Sequence, residues 1–160
     1  MKILLPIDDS ACSEAAVHAV IGQFRPDETE VRVMHAVEWP KELPPSLAFA
    51  EGPAAADDVL ALHDEVRRQA EALVARTAAR LRSNHFQART AVREGDARQV
   101  ILDYAAEWHP DLIVLGSHGR RGLSRFLLGS VSENVMRHAA CSVEIVRNPA
   151  DTSSNTGSIV

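Results

Sequence analysis

The run Asp111-Leu112-Ile113-Val114-Leu115-Gly116 sets four consecutive apolar side chains between an acidic residue and a glycine. Successive side chains of a strand point to opposite faces, so a strand apolar on both faces has to be covered on both. Such strands lie in the middle of parallel sheets with helices on either side. Four other segments carry strand signals: Lys2 to Ile7, Glu30 to Val37, Phe86 to Val92 and Val143 to Val146. Helical spacing fills the gaps between them. Asp8-Asp9-Ser10 offers capping side chains ahead of Ala16, Val20, Ile21 and Phe24, and Arg25-Pro26-Asp27 breaks that helix. Asp57-Asp58 is expected to cap a long helix with Val59, Leu62, Val66, Leu73, Thr77 and Leu81 along its stripe. Gly95-Asp96 leads into a helix with Val100, Ile101, Tyr104, Ala105 and Trp108 on one face. Ser130 is expected to cap a short helix through about His138.

Strands separated by helices predict an α/β fold, a doubly wound five-stranded parallel sheet with helices on both faces. The 160 residues fit one domain. Its boundaries are expected at 1–147, with 148–160 a disordered tail. Residues 38–56 hold Pro40, Pro44, Pro45 and Pro53 and read as a long irregular, solvated loop. No apolar stretch reaches the length of a membrane span, and the acidic pair Asp8-Asp9 arrives too early for a signal peptide. The net charge of −5 argues against a general nucleic-acid binder. Cys12 and Cys141 form no CxxC pattern, and a reducing cytoplasm is the expected location. Only Lys2 and Lys41 among the 17 basic residues are lysine, so a phosphate would be held by backbone amides, hydroxyls or arginine.

In a doubly wound sheet, ligands bind beyond the C-terminal strand ends where the strand order reverses. Two loops have suitable chemistry, Asp8-Asp9-Ser10 and the segment from Gly116 to Ser130. The second matches neither a Walker A loop, a GxGxxG turn nor a GxSxG elbow. It offers glycines through which amide groups approach an anion, then a helix N-terminus with a partial positive charge.

The spacing Gly-x2-Gly-x9-Gly-Ser, met by Gly116, Gly119, Gly129 and Ser130, resembles the universal stress protein family. The opening Leu5-Pro6-Ile7-Asp8, the strand end Met34-His35-Ala36, the Gly95-Asp96-Ala97 turn and the final Cys141 to Arg147 support the resemblance, which spans about residues 1–147. It implies a Rossmann-like fold of the adenine nucleotide alpha hydrolase type, and a homodimer through the last strand. It also implies ATP as ligand, with Mg²⁺ as an accompanying ion. By resemblance, Asp8 meets the ribose or adenine side and Ala36 the adenine. Gly116, Ser117, His118, Gly119, Arg120, Gly129, Ser130 and Val131 hold ribose and phosphates. Three positions depart from the family pattern: Ala36 replaces a larger Val, Ser142 a frequent Pro, and Glu144 an apolar residue of the last strand.

The remaining residues read more plainly. Asp9 is a capping or surface carboxylate, and most of Arg120, Arg121 and Arg125 are solvated. His35 is a packing residue at a strand end and Cys12 a buried thiol. Tyr104 and Trp108 belong to the core. A phospho-acceptor receiver domain would need an aspartate ending the third strand and a lysine ending the fifth; Arg93-Glu94 and Val146-Arg147 stand there instead. No nucleophile–base–orienter set assembles, so at most slow ATP hydrolysis is expected. The alternative is a dimeric interaction module of the same fold that binds no nucleotide.

Overall fold

A computed structural model describes residues 1–39, 53–119 and 128–148, with 53–56 described by their backbone alone. The elements are β1 (Lys2–Pro6), α1 (Ala11–Gln23), β2 (Glu30–Val37), α2 (Pro53–Ser83), β3 (Gln87–Glu94), α3 (Ala97–Trp108), β4 (Leu112–Gly116), α4 (Ser130–His138) and β5 (Ser142–Val146). A single 3₁₀ turn at Pro26–Glu28 joins α1 to β2, where Arg25-Pro26-Asp27 predicts the break.

All strand pairs are parallel, in the order β3-β2-β1-β4-β5. The chain winds outward from β1 to β3, then crosses back to place β4 on the other side of β1. The crossing leaves a crevice at the C-terminal ends of β1 and β4. Ile3 pairs with Leu112 and Pro6 with Met34, which fixes the two neighbours of β1 in register.

The strands bury both faces, as the apolar run at Leu112–Gly116 requires. Ile3, Leu5, Val31, Val33 and Val114 meet Ala16 and Val20 of α1 and Val74, Ala78 and Leu81 of α2. Leu4, Met34, Ile113 and Leu115 meet Ile101 and Tyr104 of α3 and Val135 of α4. Each large side chain so buried contributes about 1.5–3 kcal/mol. Tyr104 and Trp108 lie in or against this second core, as expected.

Several boundaries differ from the sequence reading. α2 starts at Pro53, not at Asp57-Asp58, which lie inside the helix. Proline suits a first helical turn, and the three alanines after it are strong helix formers. The buried stripe of α2 is Ala70, Val74, Ala78 and Leu81, while Val66, Leu73 and Thr77 flank it. Alanines at the contact bring the helix axis close to the sheet, so the larger apolar residues mark the stripe's border. β3 begins one residue late because the Phe86 amide donates to the carbonyl of Leu81 and closes the turn from α2. Ser130 is the first helical residue of α4; its cap is Gly129. Residues 40–52 and 149–160, which hold most of the expected irregular loop and tail, lie outside the described residues.

α3 starts at Asp96, whose Oδ1 accepts from the Arg98 amide at 2.9 Å and whose carboxylate also pairs with the Arg98 guanidinium. The Arg98 side-chain hydrogen bond is the main reason the Asp96 carboxyl falls to about 2. A depressed carboxylate stabilises the fold above its unfolded value of about 3.9, and that gain is lost as pH falls through about 2. The pair is exposed, so solvent screening keeps its contribution to stability small. Asp96→Ala is expected to lose about 1 kcal/mol in urea unfolding at neutral pH. Asp96→Asn, which keeps a capping oxygen, is expected to lose less.

Candidate functional site

Two loops meet at the crevice, one leaving β1 and one leaving β4. The first is organised by Asp8. Its Oδ1 accepts from the Ser10 amide at 3.1 Å, from the Ser10 hydroxyl, and from the Ser13 hydroxyl at 2.6 Å. The Asp8 amide donates back to Ser13 Oγ at 2.9 Å. Ser10 is the N-cap of α1 and accepts from the Ser13 amide. Oδ1 is thus committed to the turn, and the second oxygen faces the other loop. A Cβ placed on Gly119 would lie 2.8 Å from Asp8 Oδ2.

The β4 loop is tied down at both ends. The Ser117 amide donates to the Val146 carbonyl and the Gly129 amide to the Ser117 carbonyl, each at 2.8 Å. Ser132 Oγ donates to the Gly116 carbonyl at 2.7 Å. The segment leaving Gly116 therefore returns beside its own start at Gly129. Gly116 is required by sterics, since a Cβ there would stand 2.6 Å from the backbone carbon of Cys12. α1 crosses β4 at that contact. At Gly129 a Cβ would meet the Ser117 carbonyl oxygen at 3.1 Å and His118 Cα at 3.3 Å.

α4 opens at this loop with no side-chain cap. Its first intrahelical amide bond is Glu133 to Gly129, so the amides of Ser130, Val131 and Ser132 precede the ladder. α1 and α3, by contrast, carry side-chain caps at Ser10 and Asp96. An uncapped first turn carries about half a positive charge and favours an anion. His118 adds a second feature. Its Nδ1 lies 3.1 Å from Ser117 Oγ, itself 3.7 Å from Cys12 Sγ. Its Nε2 is buried without a hydrogen-bond partner. A buried ring nitrogen left so costs about 1–3 kcal/mol, a cost that a ligand's polar group would remove.

Asp8, Gly116, Ser117, His118, Gly119, Gly129, Ser130 and Val131 thus gather in one place. Val131 turns its side chain into the core between α3 and α4, leaving its amide as the group near the loop. Ala36 is the penultimate residue of β2, the strand beside β1, and is half-buried. Arg120, with Arg121 and Arg125, lies outside the described residues. Asp9 is exposed, and His35 directs Nδ1 to the Ile7 carbonyl at 2.6 Å. Among the described residues no three His, Cys, Asp or Glu side chains gather as a metal site. Sequence reasoning missed Ser13 and Ser132. Both are small polar residues in the first turns of helices with no distinguishing sequence signal, and their burial in the fold is what sets them apart.

Fold and site together define a doubly wound parallel domain with a glycine loop and an uncapped helix N-terminus at its crossover. A family model described as the Universal stress protein family matches residues 1–147, and the chain belongs to that family. Universal stress protein YxiE of Bacillus subtilis is 29% identical over 150 residues, covering 91% of this chain and 98% of that protein. The structure of universal stress protein UspA from Lactobacillus plantarum matches with a TM-score of 0.74 at 24% identity, over 92% of this chain and 97% of the other. A universal stress protein family protein from Arabidopsis thaliana, solved with AMP bound, matches with a TM-score of 0.67 at 17% identity, over 98% and 97%.

The two glycines Gly116 and Gly22 make opposite predictions for thermal unfolding. Gly116→Ala forces its Cβ into α1 backbone and is expected to cost about 1–3 kcal/mol. Gly22→Ala, with nothing within 4 Å in the last turn of α1, is expected to gain about 0.5–1 kcal/mol.

Proposed function

We propose that this chain binds ATP, accompanied by Mg²⁺, at the C-terminal ends of β1, β2 and β4, and acts as a nucleotide-dependent regulatory protein of a stress response. The observation that carries the reading is the juxtaposition of an uncapped α4 N-terminus with glycines that leave no room for a Cβ. Amides of Ser130 and Val131, with the hydroxyl of Ser130, suit the phosphates. Gly119 lets loop backbone lie against Asp8, whose carboxylate stands at the ribose side of the site. Ala36 supplies an apolar surface for adenine at the end of β2. Mg²⁺ would take phosphate and water oxygens as its main ligands, as it usually does with nucleotides. The Arabidopsis relative with AMP supports an adenine nucleotide as the ligand class.

A second copy of the chain is the expected partner. β5 is an edge strand whose Val143, Ile145 and Val146 remain only half-buried, an apolar edge suited to pairing. Light scattering at micromolar protein is expected to give twice the 17.4 kDa chain mass. A monomer mass overturns the pairing.

Calorimetric titration of nucleotide-stripped protein tests the main reading. ATP is expected to bind at micromolar Kd in the presence of Mg²⁺, at least tenfold tighter than AMP, because the α4 amides act on the added phosphates. Gly119→Val is expected to weaken ATP at least tenfold, since the new side chain meets a carboxylate that Ser10 and Ser13 hold in place. No binding at millimolar ATP overturns the reading and leaves the dimeric interaction module in its place.

A further inference from the structure

The second edge of the sheet, β3, carries an arrangement unconnected with the crevice. A parallel strand sends both backbone groups of one residue to the same side and alternates residue by residue. The Gly95 amide donates inward to the Val37 carbonyl at 3.0 Å, so the odd-numbered residues face β2. Ala88, Thr90, Val92 and Glu94 therefore face outward. Arginine side chains confirm the direction: Arg82 Nε donates to the Ala88 carbonyl at 2.9 Å, and Arg93 Nη1 to the Val92 carbonyl at 3.4 Å. Thr90 lies between these two covered carbonyls with its own amide and carbonyl directed outward. A cavity of about 660 Å³ follows this edge, walled by Thr90–Glu94 on one side and by Arg67, Glu71, Val74 and Ala75 of α2 on the other.

The face of β3 turned toward α3 is cationic. Arg89 and Arg93 are exposed there, and Arg32 of β2 pairs in register with Arg89. Arg32 lies 4.9 Å from the Trp108 ring and 5.9 Å from that of Tyr104, and Arg93 lies 5.2 Å from Tyr104. Stacking on rings holds the guanidinium groups in place without neutralising them. Among the described residues the carboxylate paired with this group is Glu30, 3.7 Å from Arg32. Arg32 Nε is buried with no hydrogen-bond partner.

This charge decides what can pair with the edge. Antiparallel pairing with a second copy would keep each side chain on its own face, and in the register centred on Ala91 it would set Arg89 of each copy against Arg93 of the other. Like charges opposite one another destabilise a strand pair. A strand with carboxylates on that face reverses the sign. We propose that the outer edge of β3 accepts an extended acidic peptide segment of another protein as a sixth strand, its alternate carboxylates meeting Arg89 and Arg93, with the charge of Arg32 behind them. Backbone hydrogen bonds to the amide and carbonyl of Thr90 and to the amides of Ala88 and Val92 supply affinity, and the arginine face supplies selection.

The test uses the full chain, isotope-labelled for NMR, and an acetylated, amidated hexapeptide of alternating glutamate and valine. Binding is expected below millimolar Kd, with amide exchange at Thr90 and Val92 slowed at least tenfold at saturation. The lysine–valine analogue is expected not to bind, and a twin N-methylated at alternate amides to bind at least tenfold more weakly. The double variant Arg89→Glu, Arg93→Glu changes two exposed side chains and is expected to exchange the preference to the lysine peptide. Absence of binding at millimolar peptide, equal binding of the N-methylated twin, or slowed amides away from β3 each overturns the proposal. ATP titration is read separately, so failure here leaves the crevice reading untouched.

Discussion

The contact between Gly116 and the backbone of Cys12 governs the geometry of the crevice. A side chain as small as alanine at 116 would collide with α1, so the helix and β4 approach as closely as backbone allows. That approach carries the N-terminus of α1 over the end of β4. It brings the Asp8 turn, tied to α1 through Ser10 and Ser13, against the loop that begins at Ser117. The β4 loop meets a hydrogen-bonded wall, and Gly116 and Gly119 stand where that wall leaves no room for a Cβ. Preorganisation of this kind lowers what a ligand must spend in ordering its site.

Much of this was legible in the sequence, for physical reasons that can be named. Leu112–Leu115 is apolar on both faces, and a strand of that composition has one stable place, the interior of a parallel sheet. From it followed the sheet type, the crossover and the location of the crevice. The glycine spacing pointed to the same loop because a missing Cβ is visible in a sequence as plainly as a present one. What stayed hidden depends on close approach in three dimensions. Ala70 and Ala78 carry little hydrophobic signal, yet they are where α2 comes nearest the sheet. Ser13 and Ser132 look like ordinary helix-start residues, and their hydroxyls matter only because a carboxylate and a strand-end carbonyl arrive beside them. The cap of α4 was misplaced by one residue because serine is a good N-cap, whereas here the glycine before it leaves the helix end open.

The sheet treats its two edges differently. β5 ends the sheet with half-buried aliphatic residues and little charge beyond Glu144. β3 ends it with Arg89 and Arg93, and Arg93 together with Arg82 of α2 covers outward carbonyls. Guanidinium groups bent over an edge in this way discourage indiscriminate strand addition. Arg93 both covers a carbonyl and presents its charge, so protection and selection meet in that side chain.

The long helix α2 spans 31 residues, roughly 46 Å at 1.5 Å per residue. Its buried contacts begin at Ala70, and none of the described side chains before that point is buried. Opening of the N-terminal half therefore exposes little apolar surface, and its free energy should fall well below that of the C-terminal half. Among the described residues its side-chain tethers include the His63–Glu94 ion pair, formed when the imidazole is protonated, and the tilted contact of His63 with the Trp39 ring. Both anchor at the C-terminal ends of β2 and β3, a few residues beyond Ala36. The half-helix and the strand ends beside the crevice thus share one side chain, so losing the His63 imidazole would release both of these tethers at once.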